Sequence, residues 1–485
     1  MTPQLLWLLK SVGCGLAGGI LALLVVGIWL LNKKPDLSIW HTAKLDEEFT
    51  RRSEVSSFEA YLKQEERLFA QLEEKIYDKI GKDDEIWINR YFRESASHPG
   101  RWDRNWNRSF ELVQEKPVAG VLLIHGLTDS PYSMRPVAEA LHARGAYVLA
   151  LRIPGHGTAP SALAGVKWQD MEAAVALAAR HVAEKAPGVP FQLVGYSNGG
   201  ALAVRYAINS LNGHEQPRAT SMVLISPEMG VAKVAGYAKW QERFGRVLGL
   251  KKLRWHSVAV EYDPFKYSSF PVNGGILAHE LTRVNRTGMA RLEKAGKLSG
   301  FPPTIAFQSA VDATVAAPDL VRDFFYHLPP GGHELVVYDL NRIAGVEPLL
   351  TNDPKAQIGP IVESSRRKFT VSVLTNEAAD REDVVELTWK PGEAESEKEE
   401  TGLSWPGGLY SLSHVALPFP ADDSVYGDGE NQVSSIEGMN IGGAALKGEK
   451  GAIKIPAADI LRLRWNPFYS YQESRILEHL GLKAP

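Results

Sequence analysis

Short apolar runs closed by glycine, proline or small polar residues recur along the middle of the chain. They fall at 109–113, 118–124, 146–152, 191–194, 222–225, 304–308 and 335–339. They read as successive strands. Between them lie longer segments whose apolar residues return at helical spacing, at 133–144, 171–185, 198–209 and 318–327. Strands that alternate with helices predict a mostly parallel, doubly wound sheet. Upstream, 56–80 reads as a helix with Ser56 and Glu59 as a capping box and Phe58, Leu62, Phe69, Leu72, Ile76 and Ile80 on one face. Its charged residues, Lys63, Glu65, Glu66, Arg67, Glu73 and Glu74, read as a solvated face, and the helix as a stalk or a packing segment on the main body. Downstream, 369–374 and 384–389 are strand-like and predict a hairpin or an extension of the sheet. The acidic stretch 393–400 reads as a solvated loop, and 469–480 as a last helix.

The N-terminal pattern differs from all of these. Residues 12–31 carry no charged side chain, with Lys10 before them and Lys33 and Lys34 after, and Trp29 at the boundary. At 1.5 Å per residue, roughly 20 such residues cross a bilayer core. A cleaved signal peptide is the alternative, but the run is long for one and no small-x-small site follows it. The expectation is therefore a single-pass membrane anchor over 1–34, with the side of the following body left open, because long domains translocate regardless of flanking charge.

Composition narrows the picture only a little. The chain has 485 residues and a formal net charge of −3, which gives no general nucleic-acid footprint. A single cysteine, Cys14, excludes an intramolecular disulfide framework and any cysteine-built metal site. No His-Glu-x-x-His pattern is present, and no Lys-Ser or Lys-Thr follows the Pro154-Gly155-His156-Gly157 loop, so neither a zincin metal site nor a phosphate cradle is expected. No cofactor is expected either.

The candidate chemistry centres on Gly195-Tyr196-Ser197-Asn198-Gly199, between a predicted strand and an Ala-rich helix. Strand, sharp turn and helix are the context in which a Gly-x-Ser-x-Gly turn presents its serine above a sheet edge. Flanking glycines are needed because neighbouring backbone approaches too closely for a Cβ. The amide of Asn198, the residue after the serine, is then a candidate donor to an oxyanion.

His125-Gly126, Pro154-Gly155-His156-Gly157 and the serine turn occur in an order and spacing that resembles the α/β-hydrolase fold. More narrowly, the segment His125 to Pro136 is similar to the bacterial carboxylesterase, monoacylglycerol lipase and serine aminopeptidase-like branch. The resemblance runs from about Trp106 to the C-terminus. It implies a hydrolase domain over 106–485 behind a helical segment at 35–105, with a cap inserted at 228–300 and a second insertion at 341–404. Within the cap, Trp240, Phe244, Val247 and Leu248 recur at helical spacing among basic residues, a pattern shared by interfacial helices and by cap helices packed on a core. The resemblance further implies a triad in the order serine, acid, histidine. Asp312 stands just past a strand where the branch has its acid, and His414 lies in a loop like that of the branch's histidine. Ser197 is thus the expected nucleophile, Asp312 the acid and His414 the base, with the backbone amides of Leu127 and Asn198 as the oxyanion hole.

The rivals fit less well. His333 precedes a strand, the wrong end for a catalytic loop, and reads as a surface or turn residue. His327 is placed in a helix and His156 in the proline–glycine loop. Asp319 reads as a helix-start residue, and Asp339 is the remaining acid. The implied activity is acyl transfer from a carboxylic ester, small-molecule or lipid, at a membrane, by resemblance a bacterial inner membrane. An amidase acting on substrates with a free ammonium, bound by carboxylates such as Glu228 and Glu261, and a non-catalytic binding module on the same fold are the alternatives. Nothing in the sequence fixes the oligomeric state.

Overall fold

A computed structural model describes residues 33–214, 217–230, 249–312, 315–343, 353–407, 411–428 and 462–482, with isolated residues in 2–27 and Gly245. The apolar run 12–31 and the cap positions Trp240, Phe244, Val247 and Leu248 lie largely or wholly outside the described residues. Among the described residues no helix is long and apolar enough to cross a membrane.

The main sheet has ten strands. These are β1 (Phe110–Leu112), β2 (Ala119–Ile124), β3 (Ala146–Leu151), β4 (Phe191–Tyr196) and β5 (Ser221–Ile225), then, past a small cap ladder, β8 (Thr304–Ser309), β9 (Glu334–Tyr338), β10 (Thr370–Asn376), β11 (Asp383–Trp389) and β12 (Glu397–Ser404). The cap ladder pairs β6 (Trp255–Ser257) with β7 (Phe270–Pro271). The order across the main sheet is β1-β3-β2-β4-β5-β8-β9-β10-β11-β12. From β3 to β10 all neighbours are parallel, while β1, β11 and β12 pair antiparallel at the edges.

Every residue of β2, β3, β4, β5 and β8 is buried. Side chains alternate between the faces. Leu122, Ile124, Leu193 and Leu224 enter one core, which holds the helices Trp168–Lys185 and Asn198–Leu211. Val121, Leu123, Val194 and Val223 enter the other, with the helices Arg135–Ala143 and Tyr469–His479. This double burial is why the strands are apolar without alternation.

Four expectations are corrected. The upstream helix is Phe58–Lys75, capped by Ser57 rather than Ser56: the Ser57 hydroxyl accepts from the Ala60 amide. It stops at Lys75, where Ile76 leaves helical geometry, instead of reaching Ile80. Its charged residues are not all solvated. Glu65 is buried, because its carboxylate accepts from the Ser109 amide and hydroxyl and from Arg152 Nε. With Phe58 and Tyr61 also buried in the main core, the helix lies on the sheet rather than standing off it.

The segment 228–300, expected as an inserted cap, also continues the strand–helix alternation. The helix Val272–Lys294 follows β7 and packs on the helix Asn198–Leu211, supplying the crossover between the parallel strands β5 and β8. Asn285 Nδ2 donates to the Ala201 carbonyl at 2.7 Å across that contact. Finally, the second half of the acidic stretch is strand. β12 begins at Glu397 and pairs antiparallel with β11 as an exposed edge, so charged side chains are tolerated without a loop. Both downstream expectations for 369–374 and 384–389 hold at once: β10 and β11 form a hairpin, and β10 joins the main sheet beside β9.

Candidate active site

The order β3-β2-β4 means the chain leaves β2 toward one side and returns to place β4 on the other. A crevice opens at the carboxyl ends of strands where such a reversal occurs. Four segments meet there: the His125 loop after β2, Ser197 after β4, Ser226 to Glu228 after β5, and Asp312 after β8.

Ser197 sits between β4 and its helix with φ 52° and ψ −116°. A non-glycine residue there is strained and persists only if its surroundings hold it. They do: its amide donates to the Ile225 carbonyl at 2.9 Å, and its carbonyl accepts from the Glu228 amide at 2.9 Å. The glycines are dictated by contact. A Cβ on Gly199 would stand 2.0 Å from the Ile124 carbonyl oxygen, and one on Gly195 would stand 2.5 Å from that of Gly199.

The acid is held by donors. Asp312 is buried, and accepts from Gln308 Nε2 at 2.9 Å and from the Val315 amide at 3.0 Å. His414 comes to it through a short ladder, β13 (Ser411–Leu412) on β14 (Arg462–Leu463). That ladder is tied to the end of β8 by the Ser309 hydroxyl, which donates to the Leu412 carbonyl at 2.5 Å. His414 Nδ1 then lies 3.6 Å from Asp312 Oδ1, and its ring centroid lies 6.3 Å from that of Tyr196, the neighbour of Ser197. The arrangement brings the expected acid and base together beside the serine turn. At 3.6 Å the contact is longer than a hydrogen bond.

Asn198 opens its helix, so its amide has no intrahelical acceptor and points outward with the helix N-terminus. Leu127 follows Gly126, where a Cβ would stand 3.1 Å from Ser197 Cβ, so the two expected oxyanion donors flank one serine.

The rivals have other work. His125 is fully buried, its Nδ1 bonded to the Gly126 carbonyl and its Nε2 accepting from the Ile153 amide. His156 is bonded to the Pro154 carbonyl. His333 is not a surface residue. It is 4% exposed, because β10 covers it through a Thr370 amide to His333 carbonyl bond, but it stands at the amino end of β9, away from the crevice. Asp339 is bound by Arg342 and by the Thr375 hydroxyl, and Asp319 pairs with Arg322 in the first turn of its helix.

Of two further side chains at the site, the sequence offers Glu228 only as a carboxylate for a substrate ammonium, and Gln308 escapes sequence reasoning. Glu228 Oε2 accepts from Asn198 Nδ2 at 2.8 Å, and burial raises its pKa. Gln308 holds the acid from within a strand. Its signal was available: an amide in an otherwise apolar buried strand needs a partner.

Burial also gives a pH prediction. It lowers the pKa of His41, His156 and His333 from 6.5 to about 4. These rings stay neutral in the folded chain but protonate once unfolded. Their contribution is complete above pH 6.5 and is lost as the pH falls from there toward 4. Thermal melts across that range should show Tm dropping steadily; a flat profile would mean that the rings take up protons without unfolding.

A parallel sheet of this order, with a strained serine between strand and helix, has the α/β-hydrolase fold. Residues 115–339 match the family model described as serine aminopeptidase, S33. The match includes Ser197 and Asp312 and ends before His414. A stretch of 59 residues, 12% of this chain, is 46% identical to a thermostable monoacylglycerol lipase of Bacillus sp. (strain H-257), spanning 20% of that protein's length. Among solved structures, the monoacylglycerol lipase of Paleococcus ferrophilus aligns at 16% identity and TM-score 0.36, over 48% of this chain and 88% of its own. A soluble variant of the monoglyceride lipase of Saccharomyces cerevisiae aligns at 16% and 0.37, over 48% and 82%. Likeness that remote transfers no activity.

Proposed function

We propose that the chain is a membrane-anchored serine hydrolase of carboxylic esters. Ser197 attacks the ester carbonyl as His414 takes its proton, and Asp312 holds the imidazole and stabilises its charged form. The amides of Leu127 and Asn198 receive the oxyanion. His414 gives the proton to the departing alcohol, then activates the water that clears the acyl-enzyme. The observation that carries this reading is the meeting of Asp312 and His414 beside a serine held at φ 52°.

An amphiphilic ester, a monoacylglycerol or lysophospholipid, suits an enzyme with an apolar run at 12–31. Support for attachment comes from where that run ends. Lys34 Nζ donates to the Trp255 carbonyl of the cap. Pro35 lines the same surface hollow as Ile86 and Val260, which are exposed, as is Trp87. Exposed large apolar side chains next to the end of a candidate span are what a headgroup layer would accept.

The test is labelling by a fluorophosphonate probe together with p-nitrophenyl butyrate turnover. The chain should label and turn over, and Ser197→Ala should do neither. Equal labelling of the two would remove the reading. The amidase alternative draws on the family description, but its candidate ammonium ligands are engaged. Glu261 accepts from the Ser268 and Ser269 amides, and Glu228 from Asn198. Comparing an ester with its amide analogue separates the two.

A further inference from the structure

One residue beyond His414, Val415 lines a cavity of about 260 Å³ whose wall also includes Asp263, Lys266, Phe419, Tyr426 and Arg464. Its other side adjoins the oxyanion loop. Lys266 Nζ lies 3.6 Å from Asp129 Oδ2. That oxygen and Ser197 Cβ stand 3.0 and 3.1 Å from the place a Cβ on Gly126 would occupy. The cavity therefore flanks the serine between the histidine loop and the loop that carries Leu127.

The charges around it are not equivalent. The Asp263 carboxylate is buried, and its Oδ1 accepts from the amides of Phe265 and Lys266 and, at 2.7 Å, from the Tyr426 hydroxyl. Glu261, behind Ser268, is fully buried and held by two amides. Asp129 is buried, and desolvation raises its pKa. These carboxylates serve the fold. The cations are the accessible groups: the Lys266 side chain is 27% exposed, and Arg464 is partly exposed. A guanidinium and an ammonium lining one cavity match a carboxylate or phosphate, the guanidinium through two parallel bonds.

We propose that this cavity receives an anionic group of the substrate, a carboxylate or a phosphate, with Lys266 and Arg464 as its counter-ions. The proposal rests on the ester-hydrolase reading and names the class of ester: one that carries a negative charge a short distance from the scissile bond.

Two measurements on the full chain separate the proposal from that reading. The first is calorimetric binding of hexyl phosphate, hexanoate and hexanol, which needs no turnover. At least one anion should bind roughly tenfold more tightly than the alcohol at low salt. The preference should shrink toward unity near 0.5 M salt, as screening of partly exposed charges requires, and in Arg464→Met and Lys266→Met. Which anion binds more tightly distinguishes a phosphate from a carboxylate ligand. The second is kcat/KM for mono-p-nitrophenyl glutarate over p-nitrophenyl butyrate, and for a lysophosphatidic acid over the matching monoacylglycerol. At least one anionic member should lead by roughly tenfold, and the ratio should fall in either variant. Anion binding without hydrolysis of any ester would leave the cavity's role standing and remove the hydrolase reading. Ester hydrolysis with no anion binding and no charge preference, or with a preference for an ester bearing an ammonium, would overturn the proposal. The salt titration of the wild type decides the matter even if a variant fails to fold.

Discussion

Alanine at His414 is expected to lower kcat for p-nitrophenyl butyrate by roughly four to six orders of magnitude, with circular dichroism and Tm little changed. The argument is chemical. A serine hydroxyl is a weak nucleophile at neutral pH, and only a base in position removes its proton as the bond forms. Once that base is gone, the strained turn and the amides of Leu127 and Asn198 still bind the oxyanion but nothing moves the proton. For the same reason Ser197→Ala should cost about as much, and the double variant hardly more, because the two side chains act as one unit. His333→Ala gives the contrast. Its ring is buried at the far end of β9, so the substitution should lower Tm while leaving kcat/KM per folded molecule unchanged. An active His414→Ala protein would reassign the base.

Replacing Arg152 with methionine is the largest stability change expected, about 3–5 kcal/mol, because it strands a buried carboxylate. Arg152 is 1% exposed. Its Nε donates to Glu65 Oε2 at 2.9 Å, Nη2 to Glu48 Oε1 at 3.1 Å, and Nη1 to the His156 carbonyl at 3.0 Å. The Tyr61 hydroxyl closes the group by donating to the Arg152 carbonyl. One guanidinium thus joins the upstream helix, the residues before it and the Pro154–Gly157 loop at the end of β3. Urea unfolding of Arg152→Met measures the cost. Pairing it with Glu65→Leu should restore only part of the loss, since the Glu65 charge goes with its cation while Glu48 still loses its partner. A loss below about 1 kcal/mol would show that water reaches Glu65 in the variant.

The contrast between Glu65 and Ser197 explains what a sequence can and cannot display. The serine turn was legible because its signature is short in sequence: only glycine fits at Gly195, against the Gly199 carbonyl, and at Gly199, against the distant Ile124 carbonyl. The parallel strands were legible because double burial leaves them apolar throughout. Glu65 looked like one more charge on a helix, since its partner stands 87 positions away. The helix Val272–Lys294 escaped for another reason. Its buried face includes Gly274, Thr282, Asn285 and Gly288, small and polar residues that let it pack closely on the serine helix, so the usual apolar stripe is diluted. His414 was reached by resemblance alone, and the ladder of β13 on β14 that carries it is too short to register as a pattern.

The outermost strand has a consequence of its own. Among the described residues β12 has no strand on its outer side, so one row of its peptide groups is an open template for pairing with another molecule. Glu397, Lys398, Glu399 and Glu400 occupy that rim, and most of their surface is in water. A second copy docking there in register would have to bring three carboxylates against three more. The rim thus works as a terminator: its like charges oppose extension of the ten-stranded sheet by a second copy.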